Sequence, residues 1–148
     1  MITEHLIRGV CLGLGLGLCS LLPRPSEAGK IAVPESIEAV TTVDAEGLIE
    51  LAQQYPELII VDARQRSDRR QGYLQDSVSL PDIETSCDSL KAVVPTLDVP
   101  VVFYCNGVKC GRSVIALQIA KGCGYARLHW FRGGFEEWKQ KGYPFLQM

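Results

Sequence analysis

The stretch Val101-Val102-Phe103-Tyr104-Cys105-Asn106-Gly107-Val108-Lys109-Cys110-Gly111-Arg112-Ser113 decides the fold that this sequence predicts. Its first four residues are apolar and predict a buried strand that stops at Cys105. A short loop follows, and residues 113–121 then predict a helix with Gly122 as its stop signal. Backbone N–H groups of a tight loop beside a helix N-terminus form an anion site. A thiol held there ionises more easily than a free cysteine, so we expect Cys105 to be a nucleophilic thiolate.

The loop also carries the features that a site for an anionic substrate needs. Lys109 and Arg112 add positive charge, and the two loop glycines tolerate the positive φ that a tight curl requires. Two further residues, Asp62 and Arg64, follow another predicted strand and are expected to have a mainly structural role. The candidate site therefore comprises the nucleophile Cys105, the substrate-binding residues Asn106, Gly107, Val108, Lys109, Cys110, Gly111 and Arg112, and the supporting residues Asp62 and Arg64.

Strands and helices are predicted to alternate along the body of the chain. Strands are predicted within residues 37–43, 58–61, 77–80, 101–104 and 126–130, and helices at residues 45–54, 87–94, 113–121 and 135–141. Asp44 is the predicted N-cap of the first helix. This alternation predicts an α/β domain with a mainly parallel, five-stranded sheet. Ligands bind at the carboxyl ends of strands in such sheets, which is where Cys105 lies.

The N-terminal part of the 148-residue chain is predicted to be a targeting segment. Residues 9–22 are apolar and uncharged, but this run is short for a membrane span, which needs about 20 residues. Small residues at Ser26 and Ala28 fit a cleavage site, so residues 1–28 are interpreted as a signal peptide, with an uncleaved membrane anchor as the alternative. Residues 29–36 are then a linker and residues 37–148 the domain. We expect a periplasmic or secreted protein, or one anchored in the membrane and facing the periplasm.

Composition excludes several classes of function. The net charge of −2 argues against a general nucleic-acid binder. The chain has only two histidines, and no spacing of metal ligands supports a zinc site, so we expect neither a metal nor another cofactor.

The cysteines of the body leave several possibilities open. Four of them, Cys87, Cys105, Cys110 and Cys123, could form two disulfides in an oxidising compartment, but sequence does not determine the pairing. Because 47% of the residues are hydrophobic, the body can fold without such bonds, and the sequence does not by itself indicate a disulfide framework. Cys87 and Cys123 are expected to be chemically inert.

Three separated blocks together resemble the rhodanese-like domain family, the fold of thiosulfate sulfurtransferases. The resemblance extends over residues 41–145, and the order and spacing of the blocks make it specific. It implies a sheet flanked by helices on both faces. The blocks are Ile60-Val61-Asp62-Ala63-Arg64 with Gly72-Tyr73-Leu74-Gln75-Asp76-Ser77-Val78-Ser79-Leu80-Pro81; Phe103-Tyr104-Cys105 with Arg112-Ser113; and Gly124-Tyr125 with Phe131-Arg132-Gly133-Gly134-Phe135-Glu136-Glu137-Trp138 and Gly142-Tyr143-Pro144.

The resemblance implies a covalent reaction. Cys105 would attack the outer sulfur of a donor such as thiosulfate, become a persulfide and release sulfite. The persulfide sulfur would then pass to cyanide, to a small thiol or to a protein acceptor. The loop amides would cradle the persulfide, while Lys109 or Arg112 would hold the oxyanion of the donor.

The loop departs from the pattern of the family. Six residues separate Cys105 from Arg112, more than in the sulfurtransferases or the related phosphatases of the family, and one of the six is Cys110. A wider loop would admit a larger substrate or move Arg112 away from the donor. Three roles for Cys110 are open: a resolving partner of Cys105, the main nucleophile, or a residue without chemistry. A disulfide between the two cysteines would block sulfur transfer.

Other interpretations of the chain differ in class. It could be a non-catalytic rhodanese-like module that carries or senses sulfur, a dithiol redox protein using Cys105 and Cys110, or a phosphatase. A cluster of arginines after the second strand is either a solvated helix face or a positive rim that steers anionic substrates. The cluster consists of Arg64, Arg66, Arg69 and Arg70.

Overall fold

A computed structural model of the chain describes residues 32–148. The predicted signal peptide and the first part of the predicted linker lie outside the described residues. The rest of the linker has neither helix nor strand, but it contacts the domain, because Arg132 Nε donates to the carbonyl oxygen of Pro34 at 3.1 Å. None of the helices in residues 32–148 is long and apolar enough to cross a bilayer.

Five strands and four α-helices alternate along this part of the chain. Most bounds lie within two residues of the prediction, and the first strand, Thr41–Val43, lies at the end of the range 37–43 in which it was predicted. The polar stretch after β2 forms a 3-10 helix, Arg66–Gln71, and a second short one, Asp82–Glu84, follows β3. The elements are β1 (Thr41–Val43), α1 (Ala45–Gln54), β2 (Ile59–Asp62), β3 (Val78–Ser79), α2 (Cys87–Val93), β4 (Val101–Tyr104), α3 (Arg112–Gly122), β5 (Leu128–Phe131) and α4 (Gly134–Gln140).

The sheet is parallel and has the order β1-β5-β4-β2-β3. Strand β4 is at its centre, with Phe103 paired to Val61 of β2 on one side and to Trp130 of β5 on the other. All four residues of β4 are buried, as expected for a strand that is covered on both faces. The predicted α/β class is confirmed, and Cys105 follows the central strand at the edge where the carboxyl ends of the strands meet.

Each face of β4 packs against a different pair of helices. Successive side chains of a strand point to opposite faces. Val101 and Phe103 therefore belong to a core that contains residues of α2 and α3. Val102 and Tyr104 belong to the core beneath α1 and α4. Each such side chain stabilises the fold by about 1.5–3 kcal/mol when it is fully buried, so the two cores hold β4 firmly in place.

The start of α1 is capped from two directions. Asp44 accepts a hydrogen bond from Gly47 N at 2.8 Å, which confirms the predicted N-cap. Glu137 Oε1 accepts from Ala45 N at 2.9 Å, so a side chain of α4 satisfies a second N–H group. This contact joins the last helix to the first.

A buried carboxylate, Asp62, fixes the end of β2. Its Oδ1 accepts hydrogen bonds from Arg64 N and Nε at 3.1 and 2.8 Å, so it holds the backbone near the strand end as expected. Its Oδ2 accepts from Arg64 at 2.7 Å, from Arg69 at 3.1 Å and from the Tyr104 hydroxyl at 2.7 Å. Since Tyr104 ends β4, this one carboxylate links the ends of β2 and β4 to the segment that follows β2.

Two arginines of the predicted basic cluster after β2, Arg64 and Arg69, belong neither to a solvated face nor to a positive rim. Arg64 is 1% exposed and Arg69 is 9% exposed, because both are counterions of Asp62. Of the other two, Arg66 pairs at the surface with Glu84, and Arg70 is exposed. Neither the solvated face nor the positive rim is therefore correct for Arg64 and Arg69. Their charges are neutralised by Asp62 inside the fold.

Two of the cysteines form a disulfide that the sequence left undetermined. Cys87, the first residue of α2, is bonded to Cys123, the residue after α3, with their Cα atoms 5.5 Å apart. The bond joins the two helices on one face of the sheet across 36 residues of chain. Its sulfurs carry no nucleophilic role while they are bonded.

We expect Asp62→Asn to lower the free energy of unfolding by roughly 3–5 kcal/mol, because two buried guanidinium groups would lose their only carboxylate within the network. Urea unfolding, which leaves ionic strength constant, measures the loss. Glu57→Gln, at an exposed carboxylate, is the matched control. Equal stability of the two variants would contradict the role assigned to Asp62.

Removing the Cys87–Cys123 bond should lower the free energy of unfolding by about 2–4 kcal/mol, because the unfolded chain would regain the freedom of a long loop. The comparison is made in a Cys105→Ser/Cys110→Ser parent, with and without Cys87→Ser/Cys123→Ser, in urea without reductant. A reductant should bring the parent to the stability of the variant. An unchanged urea midpoint in both comparisons would show that the bond contributes nothing.

Candidate active site

The predicted nucleophile lies directly after the central strand. Cys105 is 2% exposed, and its sulfur is bonded to the sulfur of Cys110 in the loop that follows. The side chain of Cys105 therefore faces the loop rather than either hydrophobic core. The loop, residues 106–111, connects β4 to α3.

Helix α4 clamps the start of this loop. Phe135 N donates to the carbonyl oxygen of Cys105 at 2.9 Å, and Glu136 N donates to that of Asn106 at 2.7 Å. Gly134 has φ +59°, and a Cβ atom there would collide with the carbonyl oxygen of Cys105. Only glycine allows both this backbone conformation and this approach. The glycine pair of the third block thus serves to bring α4 onto the cysteine.

Asn106 connects the loop to the buried network beneath it. Its Oδ1 accepts from Arg64 at 3.4 Å, and its Nδ2 donates to Asp68 at 3.3 Å. Burial of Arg64 lowers its pKa, but the hydrogen bonds and charge of Asp62 outweigh this and leave the pKa above its usual value. Burial and the Asp62 charge also raise the pKa of Tyr104, whose hydroxyl therefore stays protonated and donates to Asp62. The position of Asn106 depends on this network.

The second half of the loop turns back toward the nucleophile. Cys110 N donates to the carbonyl oxygen of Gly107 at 2.9 Å, which closes a tight turn and brings Cys110 over Cys105. Gly111 is the N-cap of α3 and has no side chain to accept from the first N–H groups of that helix. The helix start is held instead by Ser113, whose Oγ accepts from Trp130 Nε1 at 3.0 Å.

The charged groups around the loop differ from those that the sequence suggested. Arg112 lies 3.8 Å from Asp68 and 3.7 Å from Asp82, so two carboxylates share its charge. Its role as a donor-binding residue stays a prediction. Lys109 is exposed. The sequence did not predict that Asp68 and Asp82 lie near Arg112, because both come from other segments of the chain and no local pattern indicates such a contact.

An open cleft of about 210 Å³ lies beside the loop. Five residues line it: Asn106, Gly107, Lys109, Cys110 and Glu136. Four of them were predicted to bind substrate, whereas Glu136 was not singled out. Its carboxylate sits so close to Gly107 that a Cβ atom on that glycine would overlap it. Val108, Gly111 and Arg112 do not line this cleft, and Val108 is 45% exposed.

A larger groove of about 520 Å³ lies on the face of the sheet covered by α1 and α4. Its walls include Leu48 and Ala52 of α1, Ile60 of β2 and Trp138 of α4. No residue of the cysteine loop lines it. The chemistry of Cys105 is therefore associated with the smaller cleft.

Comparison with solved structures finds similar folds at low sequence identity. The BH2092 protein from Bacillus halodurans is 20% identical with a TM-score of 0.63, and the match covers 72% of this chain and 77% of that one. A thiosulfate sulfurtransferase from Pseudomonas aeruginosa is 22% identical with a TM-score of 0.62, covering 73% of this chain and 20% of that one. The polysulfide-sulfur transferase homodimer from Wolinella succinogenes is 18% identical with a TM-score of 0.60, covering 74% and 80%.

Comparison with curated proteins finds no match. The family model of the rhodanese-like domain, in contrast, matches residues 44–141. This range begins at the cap of α1, contains the cysteine loop and ends after α4. Two of the structural neighbours named above are sulfurtransferases. The chain belongs to the rhodanese-like domain family.

Proposed function

We propose that this protein is a sulfurtransferase that moves a sulfane sulfur from thiosulfate or a similar donor to a thiophilic acceptor through a persulfide on Cys105. The observation that carries the proposal is the position of Cys105 at the carboxyl end of the central strand, with its side chain turned into the loop and its carbonyl oxygen clamped by α4. Within the rhodanese-like family, a cysteine at the end of this strand is the expected nucleophile. The reaction is covalent catalysis in two displacement steps.

The surroundings of Cys105 suit a sulfur that carries negative charge. The sulfur is almost fully buried, and it sits between the end of β4 and the N-terminus of α3. The positive end of a helix stabilises an anion nearby, by about 0.3–1 kcal/mol at an exposed site. Lys109 adds a cation on the exposed side of the loop. These groups would stabilise both the attacking thiolate and the persulfide that it becomes.

The carboxylates near the loop restrict the choice of donor. Asp68 and Asp82 share the charge of Arg112, and Glu136 lines the cleft itself. A dianionic donor such as thiosulfate would approach against these charges and would be held mainly by Lys109. A donor or acceptor with less negative charge, including a small thiol or a protein thiol, meets less repulsion. We therefore expect thiosulfate to be a weak substrate.

The proposed setting is an oxidising compartment outside the cytoplasm. Disulfides such as Cys87–Cys123 are typical of exported proteins, and this supports the signal peptide predicted at residues 1–28. Sulfur transfer there requires that Cys105 be released from its bond to Cys110, because a thiol in a disulfide is no nucleophile.

A second candidate function is thiol–disulfide exchange with Cys105 and Cys110 as the redox pair. The disulfide between them favours it directly. A redox protein of this kind would exchange electrons with a partner dithiol and would carry no additional sulfur. The mass of the Cys110→Ser variant after exposure to a donor therefore separates the two functions. A non-catalytic module that carries or senses sulfur would differ from both, because it would not turn over with any thiol acceptor.

Reduced protein with the substitution Cys110→Ser, exposed to thiosulfate and then freed from it, should gain the mass of one sulfur atom, because Cys105 keeps the outer sulfur of the donor. The other variants are made in the same Cys110→Ser background, because a second thiol beside the persulfide would compete for its sulfur. Intact-mass spectrometry measures this. Cys105→Ser should gain nothing and should lose sulfur transfer to cyanide entirely. Cys87→Ser/Cys123→Ser removes cysteines outside the site and should keep both properties. A folded, reduced Cys110→Ser protein that gains no sulfur would refute the proposed function.

Glu136→Gln should lower the KM for thiosulfate by about fivefold, because it removes one negative charge beside a dianionic substrate in a solvent-exposed cleft. The kcat should change little. Steady-state kinetics at low and high ionic strength measure the effect, which should shrink in high salt. Glu50→Gln, at an exposed carboxylate of α1, is the matched control. An unchanged KM at low salt would show that Glu136 does not influence donor binding.

A further inference from the structure

The two bonded cysteines, Cys105 and Cys110, differ in their exposure to solvent. Cys105 is almost fully buried at the strand end, whereas Cys110 is partly exposed in the wall of the cleft. Their Cα atoms are 6.1 Å apart and their sulfurs are bonded. The turn closed by the hydrogen bond from Cys110 N to Gly107 O brings the second cysteine back toward the first.

We infer that Cys110 resolves the Cys105 persulfide and releases its outer sulfur as hydrosulfide. This inference rests on the proposed function, because it needs the persulfide to form. It adds a product that transfer to an external acceptor does not yield. The protein would then be a reductive sulfide-releasing enzyme as well as a carrier of sulfane sulfur.

The step balances within the loop. The thiolate of Cys110 attacks the Sγ atom of Cys105, and a bond forms between the two sulfurs. The bond from that Sγ to the outer sulfur breaks, and its electron pair leaves with the outer sulfur as HS⁻. The proton of the Cys110 thiol passes through solvent to the outer sulfur, so that this sulfur leaves as HS⁻ and not as S²⁻. The sulfane sulfur gains two electrons, and the two cysteines together lose two as they become a disulfide.

The disulfide between Cys105 and Cys110 favours attack at Cys105 Sγ over attack at the outer sulfur. Attack on the outer sulfur would move the persulfide to Cys110 and release nothing. The structure instead joins Cys110 directly to the inner sulfur, which is the product of attack at Cys105 Sγ. Lys109, the neighbour of Cys110, supplies positive charge that favours the attacking thiolate.

The Cys105–Cys110 disulfide must be reduced before the next cycle. The exposure of its two cysteines indicates which of them a reductant attacks. A dithiol protein or a small dithiol reaches Cys110 from the cleft, whereas Cys105 is covered. Attack at Cys110 expels Cys105 as the thiolate, ready for another donor. The Cys87–Cys123 pair lies elsewhere, between α2 and the end of α3, and takes no part.

The test follows one turnover of the reduced full chain with thiosulfate. Thiosulfate is suitable because loading releases sulfite, so any sulfide comes from resolution. Wild type should release about one sulfide per chain without added thiol and should end with a peptide-mapped Cys105–Cys110 bond. Cys110→Ser and Cys110→Ala should keep the extra sulfur and release sulfide at least about tenfold more slowly. Circular dichroism verifies that both variants are folded.

The outcomes separate the two claims. If the folded Cys110 variants gain no sulfur, the persulfide does not form, and the proposed function fails together with the inference. If the variants hold sulfur and wild type holds it equally long, the inference alone is overturned. Sulfide release with a disulfide mapped to any pair other than Cys105 and Cys110 would also overturn it. Dithiothreitol reduces any accessible persulfide, so the sulfide that it releases from the Cys110 variants verifies that they are loaded.

Discussion

The architecture of the site depends on one buried charge, the carboxylate of Asp62. It faces the guanidinium groups of Arg64 and Arg69 and the hydroxyl of Tyr104, all within 3.1 Å. Taking such charges out of water costs several kcal/mol per ion, and the cost is offset only when every partner is in place. The network therefore tolerates essentially one arrangement of the ends of β2 and β4. Because Cys105 follows Tyr104, that arrangement also determines where the backbone of Cys105 lies.

A second constraint on the position of Cys105 comes from α4, near the C-terminus of the chain. The turn before α4 brings Gly134 so close to Cys105 that no side chain fits between them, and two N–H groups of α4 then bond to the loop. The cysteine is thus held by charge from β2 and by backbone contact from α4. Both supports act on the backbone of residues 104–106, so the sulfur itself is left to the loop.

Much of this could be predicted from sequence, and the omissions have a common cause. The apolar run of β4, the cysteine at its end and the alternation of elements are local patterns, and the structure agrees with them. The burial of Arg69, the pairing of Arg112 with Asp82 and the Cys87–Cys123 bond are not local, since each joins segments that only the folded sheet brings together. A charged side chain looks the same in sequence whether it faces water or a buried carboxylate. Local periodicity in the sequence therefore predicted the strands and helices, but it did not predict the long-range ion pairs or the disulfide.

The length of the loop links its geometry to its chemistry. In a shorter loop, a residue that follows the nucleophile has little backbone with which to return. Here the turn from Gly107 to Cys110 uses the additional residues to fold back over the strand end, and the returning residue is a second cysteine. The same residues draw Arg112 toward Asp68 and Asp82 and away from the cleft. The extended loop thus leaves less positive charge in the cleft for an anionic donor. It also places a second thiol next to Cys105. Both changes make the site better suited to exchange between sulfur atoms than to the binding of oxyanions.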